Sequence, residues 1–342
     1  MAGRALLAVA AVSLTLTCVL AESAYAEPGA PPDTIPTRDI KQHLAKFQAI
    51  ADANGGTRAA GTSGDAASRE YVSAALRRAG YRVTVQAFEF QSGSATRTTY
   101  NLFAESRQGD AERVVIAGAH LDSVSAGAGI NDNGSGAAGL LEVALRMATA
   151  QPKNRIRFVW WGAEELGLLG SKYYVSNLSE ADRATIGLYL NFDMIASPNF
   201  AYKIRDGSAG PSGSAEIERN FARYYDSRNL PHVRAPLNGR SDYDPFLRAG
   251  IPIGGLFTGA EGIKTAEEQR LFGGQADRPY DSCYHRSCDT TANIDDTALT
   301  VNTGAIADAV RTYAFSDSLP GPRHRAIDRG QPIWADRSGI MR

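Results

Sequence analysis

The sequence of residues 113–122 is RVVIAGAHLD, a continuous apolar run that ends on a histidine and an aspartate. Because the run does not alternate between apolar and polar residues, it predicts a strand that is covered on both faces. A Gly-rich loop follows, and residues 134–149 then have the apolar spacing of a helix. A buried strand followed by a helix is the repeating unit of α/β proteins.

Strand and helix patterns continue to alternate along the rest of the chain. This order predicts a three-layer α/β/α sandwich with helices on both faces of a mixed, largely parallel sheet. Ligands bind such sheets beyond the carboxyl ends of the strands. The predicted strands are 81–90, 113–119, 156–161, 188–195 and 251–257. The predicted helices are 68–79, which Gly80 ends, 134–149, 171–178, 216–229 and 296–313.

Residues 1–26 have the features of a cleaved signal peptide. Arg4 precedes an apolar run from Ala5 to Leu20, and Ala24-Tyr25-Ala26 matches an A-x-A cleavage site. A membrane anchor is the alternative, but the run is shorter than the ~20 residues that cross the hydrocarbon core. We therefore expect a secreted, extracellular protein with no membrane association after signal removal.

Polar and proline-rich segments flank a single predicted domain. Residues 27–32 form a Pro-rich lead-in, residues 33–316 the domain, and residues 317–342 a polar C-terminal extension that we expect to be disordered or removed. The chain has 342 residues and a formal net charge of -1, with acids and bases interspersed. This pattern gives no basic surface for nucleic acid or an anionic membrane, and it favours a small or peptide-sized partner.

The chain contains three cysteines. Cys18 leaves with the predicted signal peptide, and the remaining pair, Cys283 and Cys288, most simply forms a disulfide in an oxidising compartment. The alternative is a zinc site built on two thiolates, but no further cysteine is available to complete it. We therefore expect a disulfide that closes a very small loop.

Acidic and imidazole side chains stand just after the predicted strands. A histidine follows residues 113–119, two glutamates follow residues 156–161, and an aspartate lies within residues 188–195. A second aspartate lies in the Gly-rich loop, and a second histidine lies between the two cysteines. Imidazole and carboxylate ligands without thiolate are typical of hydrolytic zinc sites. The candidates are His120, Asp132, Glu164, Glu165, Asp193 and His285.

Each candidate also has an ordinary structural explanation. An aspartate in a Gly-rich loop is usually a turn residue, and adjacent glutamates usually lie on a solvated face. Glu164 and Glu165, however, follow the strongly apolar residues 158–161, so both carboxylates should emerge at the edge of a site. Burial of that much negative charge is costly without cations, and a pair of divalent metal ions would offset it.

Other catalytic motifs have less support. Residues 134–139 match G-x-G-x-x-G, but a long loop separates them from the preceding strand, so we interpret them as a helix start packed closely on a strand. The sequence contains no G-x-S-x-G and no H-E-x-x-H motif. It therefore lacks the signatures of nucleophile-elbow hydrolases and of single-zinc gluzincins.

Five separated segments, in order, resemble the secreted co-catalytic di-zinc aminopeptidases, closely those of the Streptomyces leucyl type. The resemblance covers residues 33 to about 315. It implies the zinc-aminopeptidase fold, two Zn²⁺ per chain, and hydrolysis of the N-terminal peptide bond of peptides or proteins, with leucine-like or other large hydrophobic residues preferred. The segments are AGAHLDSV (117–124), GINDNGSG (129–136), WWGAEELG (160–167), NFDM (191–194) and CYH (283–285).

The resemblance also divides the metal ligands between two ions. His120 and Asp193 would hold one zinc, Glu165 and His285 would hold the other, and Asp132 would bridge both. Two zinc ions that share a carboxylate can hold a bridging hydroxide near neutral pH and polarise a peptide carbonyl. The implied reaction is attack by this hydroxide on the N-terminal peptide bond.

Residues around the metal ligands match the family's other functional residues. Glu164 would be the general base, Tyr284 would stabilise the oxyanion, and Arg240 would bind substrate. Asp122 stands two residues after His120, where it is placed to orient the imidazole.

Two apolar residues are candidates for the substrate pocket. Met194 and Phe257 would line a pocket for leucine-like side chains, with plain core packing as the alternative. The predicted disulfide would hold Tyr284 and His285 in register.

One part of the family pattern is missing. Relatives with a calcium site combine an acid near the mature N terminus with two acids after the disulfide loop. Here Asp33 is available, but Thr300 and Gly304 stand at the later positions. This departure argues against a Ca²⁺ site.

Two other functions belong to the same fold. Glutaminyl cyclase uses it with one zinc, and non-catalytic ectodomains such as that of the transferrin receptor have lost metal residues. All five metal ligands are present here together with Glu164 and Tyr284, which favours the peptidase. We expect a monomer that acts on peptide or protein N termini.

Overall fold

The computed structural model describes residues 35–321. The strands in this part of the chain are β1 (Arg82–Ser92), β2 (Ala95–Glu105), β3 (Asp110–His120), β4 (Asn154–Trp161), β5 (Ile186–Phe192), β6 (Lys203–Arg205), β7 (Val233–Ala235) and β8 (Ile253–Phe257). The α-helices are α1 (Thr37–Ala53), α2 (Ser63–Arg78), α3 (Gly136–Arg146), α4 (Leu169–Ser176), α5 (Glu180–Thr185), α6 (Ser214–Asp226), α7 (Tyr243–Arg248), α8 (Ala266–Phe272) and α9 (Asp296–Phe315).

The eight strands form one mixed sheet in the order β1-β2-β4-β3-β5-β8-β6-β7. The central strands β4, β3, β5 and β8 are parallel to one another, and β6 is parallel to β7. The remaining pairings, β1 with β2, β2 with β4 and β6 with β8, are antiparallel. The parallel core directs the carboxyl ends of four strands to one edge of the sheet.

Alternate residues of the central strands pack on opposite faces of the sheet. Val115 and Ala117 of β3 belong to the core formed with α1, α2, α3, α6 and α9. Val114 and Ile116 belong to a second core, to which α4 and α7 contribute. Because both faces are covered, the buried parts of the central strands, such as residues 114–119 of β3 and 158–161 of β4, are continuously apolar. This arrangement confirms the predicted α/β/α sandwich.

The predicted strands correspond to β1, β3, β4, β5 and β8, whereas β2, β6 and β7 were not predicted. Residues 95–98 at the start of β2 are exposed and pair only with β1, so they lack a buried-strand pattern. Helices α1, α5, α7 and α8 were also missed. Helix α1 follows Pro36 and has no side-chain cap, which removes the usual signal of a helix start.

Two helix starts show how local contacts set the boundaries. Helix α2 begins five residues before its predicted start because the Thr62 hydroxyl accepts a hydrogen bond from the Asp65 amide. Helix α3 begins at Gly136, where a Cβ atom would lie 2.4 Å from the carbonyl oxygen of Phe192 at the end of β5. The predicted close packing of this helix start on a strand is thus confirmed.

The predicted signal peptide and nearly all of the C-terminal extension lie outside the described residues. The first residues of that extension, 317–321, are described and contact the domain. Asp317 pairs with Lys153 at 2.8 Å, and Leu319 packs against the core. Between residues 35 and 321, no helix is long and apolar enough to cross a membrane.

Candidate metal centre

The six metal-site candidates meet at the carboxyl edge of the parallel strands. His120 is the last residue of β3, Glu164 and Glu165 follow β4, and Asp193 follows β5. Loops after β3 and before α9 bring in the remaining aspartate and histidine. The sheet topology therefore collects side chains that are far apart in sequence, as expected for an open α/β sheet.

Asp132 lies between the two histidines. Its Oδ1 atom is 3.2 Å from Nε2 of His120, and its Oδ2 atom is 3.2 Å from Nε2 of His285. Each carboxylate oxygen therefore faces a different imidazole, which is the arrangement expected of a carboxylate shared between two metal ions.

Each histidine also has a second acidic neighbour. Oδ1 of Asp193 is 3.6 Å from Nε2 of His120, and Oε2 of Glu165 is 2.9 Å from Nε2 of His285. Glu164 stands beside the first histidine, with Oε2 at 4.0 Å from Nε2 of His120. The cluster thus has two halves joined by the central aspartate.

The donor set fits a pair of divalent cations. Oε1 of Glu165 is buried and has no hydrogen-bond partner among residues 35–321, so a further positive group is needed beside it. The clustered donors are imidazole nitrogens and carboxylate oxygens close enough to share an ion. Such donors suit zinc and leave room for water and substrate.

The protein alone does not balance the negative charge of the site. Burial raises the pKa of Glu164 well above its usual range, and burial together with the charge of Asp132 raises the pKa of Glu165 to about 7. Burial opposes ionisation of Asp132 as well, but its contacts with His120 and His285 lower its pKa to about 2. A buried group of carboxylates with too few positive charges is stabilised when cations bind to it.

Asp122 contacts the ligand-bearing segments at two points. Its main-chain carbonyl oxygen lies 3.1 Å from Nδ1 of His120, which leaves Nε2 of the ring toward the cluster. Its carboxylate accepts hydrogen bonds from the amides of Glu164 and Glu165 at 3.1 and 3.3 Å, and lies 3.7 Å from the imidazole. The nearer atom to the histidine is therefore the carbonyl oxygen.

Arg58 stabilises the loop between His120 and Asp132, and no sequence pattern distinguishes it from the other arginines. Its guanidinium is fully buried and donates hydrogen bonds to three main-chain carbonyls, those of Leu121, Ala128 and Gly129. Burial lowers its pKa to about 10. The contacts fix both ends of the loop by hydrogen bonds to main-chain atoms, which leave no side-chain pattern in the sequence.

Asp289 holds the main chain at the central aspartate from the other side. Its carboxylate accepts hydrogen bonds from the amides of Asn131 at 2.8 Å and Asp132 at 3.0 Å. Burial raises its pKa to about 7. The side chain of Asn293 donates to the same carboxylate at 3.1 Å, so this buried acid is fully engaged.

A further hydroxyl supports the first half of the cluster. Ser241 donates a hydrogen bond to Oδ2 of Asp193 at 2.5 Å and accepts one from Asn191 at 2.7 Å. Oδ1 of the aspartate is left toward His120. Ser241 adjoins Arg240 in the sequence, but neither its type nor its position had suggested this role.

The predicted disulfide is confirmed. Cys283 and Cys288 are bonded, with Cα atoms 5.3 Å apart. The short loop between them carries Tyr284 and His285, whose rings stack with centroids 3.8 Å apart. The disulfide therefore restrains the segment that brings a histidine to the cluster.

Tyr284 and Arg240 lie side by side at the mouth of the site. Nη2 of Arg240 donates a hydrogen bond to the phenol oxygen of Tyr284 at 3.2 Å, and Nη1 donates to Glu261 at 2.6 Å. Burial raises the pKa of Tyr284, and the negative charges of Asp132 and Asp193 raise it further. The phenol therefore stays protonated and can act as a donor.

A cavity of about 220 Å³ opens beside the cluster. Five of the six metal-site candidates form one wall, and Met194 and Phe257 contribute to the apolar part of its lining together with Ala235 and Pro236. Met194 is only 2% exposed, so it belongs to the core as well as to the cavity wall. Core packing and a place in the pocket lining, the two alternatives for these residues, are therefore compatible.

Two of the positions at which relatives have calcium ligands lie in the described part of the chain, and neither carries a carboxylate. The hydroxyl of Thr300 lies 2.6 Å from that of Thr37, and Gly304 packs against the phenol oxygen of Tyr224. Asp33 lies outside the described residues.

Comparison with known proteins identifies the family. The model of peptidase family M28 matches residues 101–310. The chain is 48% identical over 303 residues to leupeptin-inactivating enzyme 1 of Streptomyces exfoliatus, covering 88% of this chain and 67% of that protein. It is 51% identical over 226 residues to leucine aminopeptidase 2 of Trichophyton rubrum, covering 64% of this chain. The chain spans about half of the length of that fungal relative, 46%.

Solved structures of low sequence identity share the fold. A zinc aminopeptidase from Bacillus subtilis superposes with a TM-score of 0.67 at 17% identity, covering 81% of this chain and 96% of that one. A glutaminyl cyclase from Bacteroides thetaiotaomicron superposes with a TM-score of 0.66 at 16% identity, covering 82% and 98%. The family match covers more than half of the chain and agrees with the resemblance read from the sequence, so the chain belongs to peptidase family M28.

Proposed function

We propose that the protein is a secreted, zinc-dependent aminopeptidase that removes the N-terminal residue of peptides and proteins. The observation that carries the proposal is the position of Asp132, whose two oxygens each face a different histidine. His120 with Asp193 forms one half of the proposed two-zinc site, and Glu165 with His285 forms the other. The leucine aminopeptidase and zinc aminopeptidase names of the relatives agree with this proposal.

Bound zinc ions would supply two things, polarisation of the scissile carbonyl and a water that is deprotonated near neutral pH. The protein's own part begins with Glu164. Its Oε2 atom lies 4.0 Å from Nε2 of His120, farther than the nearest oxygens of Asp132 and Asp193, so it remains available for a proton. We assign it the role of general base, which takes the proton of the attacking water and passes it to the leaving amine.

Tyr284 is assigned to the oxyanion. Because Arg240 already donates to the phenol oxygen, the phenol hydrogen is free to point toward the substrate carbonyl. A donor in such a position is typically worth about 3–4 kcal/mol of transition-state stabilisation. Arg240, held by Glu261 at the cavity mouth, is placed to contact the substrate main chain.

The acidic cluster accounts for the proposed exopeptidase specificity. A protonated α-amine is attracted to a cavity lined by Glu164, Glu165 and Asp193, whereas a blocked amine lacks the charge. The apolar lining at Met194 and Phe257 suits leucine-like or other large hydrophobic side chains at the N-terminal position. We also propose that the protein acts as a monomer.

The substrate assignment is tested by comparing two chromogenic substrates, leucine p-nitroanilide and N-acetyl-leucine p-nitroanilide. The zinc-loaded protein should hydrolyse the first and not the second, and a chelator should abolish the activity. Equal rates on both substrates, or no effect of metal removal, would contradict the proposal. Cyclisation of N-terminal glutamine in place of hydrolysis would identify the protein as a glutaminyl cyclase instead.

A further inference from the structure

Arg205 is a buried cation without an anionic partner. It is the last residue of β6 and is only 4% exposed. Its Nε atom is buried without a hydrogen-bond partner, and no acceptor for its guanidinium occurs among residues 35–321. A buried guanidinium in this state costs free energy unless an anion or another acceptor reaches it.

The side chain lines the cavity beside the metal centre. Its Cζ atom lies 4.7 Å from the ring centre of Phe257 and 4.9 Å from the ring centre of Tyr243. These two aromatic contacts hold the guanidinium in position without neutralising its charge. The cation is therefore placed in advance at the wall of the proposed substrate pocket.

The lysine and the other arginine of this cavity lining are already paired. Nζ of Lys203 lies 2.8 Å from Oε1 of Glu268 and donates to the phenol of Tyr280, also at 2.8 Å. Arg240 is paired with Glu261 at 2.6 Å. Within the described residues, Arg205 thus differs from its neighbours in the cavity because its charge is available to a ligand.

The lining selects the chemistry of such a ligand. Met194, Phe257, Ala235 and Pro236 provide apolar walls, and Arg205 provides a fixed positive charge. A side chain that combines an apolar stem with a terminal carboxylate satisfies both. Guanidinium and carboxylate can form two parallel hydrogen bonds, which add orientation to the charge attraction.

We propose that Arg205 makes the substrate pocket accept an acidic N-terminal side chain, with glutamate as the best fit, in addition to apolar ones. This inference rests on the proposed aminopeptidase function, because it assigns the cavity to the N-terminal residue of the substrate. A competing role for Arg205 is to offset the charges of Asp193 and Glu164, which also line this cavity. The two roles predict different substrate dependence.

The test compares the p-nitroanilides of glutamate, glutamine and leucine with the zinc-loaded wild type and with Arg205→Met. The methionine keeps a long apolar chain and removes the charge. We expect kcat/KM for the glutamate substrate to fall at least about tenfold, chiefly through KM, with the leucine value changed by less than about threefold. Arg205→Lys should restore part of the activity on glutamate, because it keeps the charge but not the planar fork.

Arg234→Met is the matched control. Arg234 lies on the neighbouring strand β7, is paired with Glu218 at 2.5 Å and is absent from the cavity lining. The Arg234→Met substitution also removes one positive charge, but outside the cavity, so the ratio of glutamate to leucine activity should stay at the wild-type value. If Arg205→Met does not fold, measurements on the wild type alone still test the proposal. A kcat/KM for the glutamate substrate above that for the isosteric glutamine substrate supports it, and the reverse order contradicts it.

Further outcomes would also overturn the inference. Equal losses on glutamate and leucine in Arg205→Met would assign Arg205 to the support of the metal centre, and unchanged kcat/KM values for both substrates would make its charge irrelevant. Leucine hydrolysis without glutamate hydrolysis by the wild type would exclude the acidic side chain. Failure of the proposed function is distinguishable, because the zinc-loaded wild type would then hydrolyse no substrate with a free α-amine.

Discussion

At the scale of single residues, the proposed activity depends on a few oxygen atoms at fixed positions. Asp132 presents one oxygen to each histidine, and its main chain is held by Asp289. Glu164 stands just outside those pairs, and Tyr284 stands at the opening of the cavity. Substitutions at these residues should therefore separate metal binding from chemistry.

Glu164→Gln should leave two zinc ions bound and lower kcat by a factor of about 10² to 10⁴, because the amide keeps the volume of the side chain but cannot accept the proton of water. Metal content by mass spectrometry and the rate on leucine p-nitroanilide measure the two effects. Glu216→Gln on the exposed side of α6 is the control and should be neutral. Loss of zinc in parallel with loss of rate would make Glu164 a metal ligand rather than the base.

Tyr284→Phe should lower kcat by a factor of about 10² with a small change in KM, because it removes a donor used mainly in the transition state. Steady-state kinetics at constant zinc content provide the measurement. Tyr173→Phe is a suitable control, since that ring is 38% exposed and stacks on Phe88 away from the cavity. A wild-type kcat in Tyr284→Phe would remove the phenol from the mechanism.

At the scale of structural elements, the loop between β3 and α3 carries the central aspartate and has little regular structure of its own. Arg58 compensates for this by donating to three main-chain carbonyls of the loop. The sequence could not have revealed this contact, because Arg58 is 63 to 71 residues away from the atoms it binds. Main-chain acceptors also impose no residue type on their positions.

Arg58→Lys should weaken zinc binding and lower the free energy of unfolding by about 2–4 kcal/mol, because an ammonium cannot replace the three directed hydrogen bonds of the fork. Zinc affinity by competition with a chromogenic chelator and unfolding in urea test the two effects. Arg155→Lys is the matched control, because Arg155 also donates to a main-chain carbonyl, that of Gly109, far from the cluster. Equal zinc affinities in the two variants would leave Arg58 a purely structural residue.

The loop between Cys283 and Cys288 is also held in place from outside its own main chain, here by a disulfide bond. It carries His285, a candidate metal ligand. Replacement of both cysteines by serine should weaken zinc binding at the proposed site of His285 more than it lowers global stability. The closed loop is short, so the entropic stabilisation lies below the ~3 kcal/mol expected of a 15-residue loop. Zinc binding and thermal unfolding of the double variant measure both quantities, and a large loss of stability with unchanged zinc binding would contradict this expectation.

The elements of the core were predictable to different degrees. Residues 114–119 of β3, residues 158–161 of β4 and most of β5 are apolar because both faces of the sheet are buried there, and this composition is visible in the sequence. Strand β2 was missed because residues 95–98 are exposed, and β6 and β7 because three residues are too few to show a period. Strand β6 nevertheless supplies Lys203 and Arg205 to the cavity.

At the scale of the whole molecule, the parallel order of β4, β3, β5 and β8 explains why the candidate ligands could be chosen from sequence. Residues that follow parallel strands meet at one edge, so His120, Glu165 and Asp193 were expected together. Supporting contacts such as those of Asp289 and Ser241 depend on folding and have no local signature. The sequence therefore predicted the acidic and imidazole side chains that meet at this edge better than the residues that hold them in place.

The most direct test of the central claim, a two-metal site bridged by Asp132, is titration of the metal-free protein with zinc while metal content and leucine p-nitroanilide hydrolysis are followed together. Two zinc ions per chain should bind, and full activity should require both. Full activity with a single zinc per chain, or with none, would contradict the account.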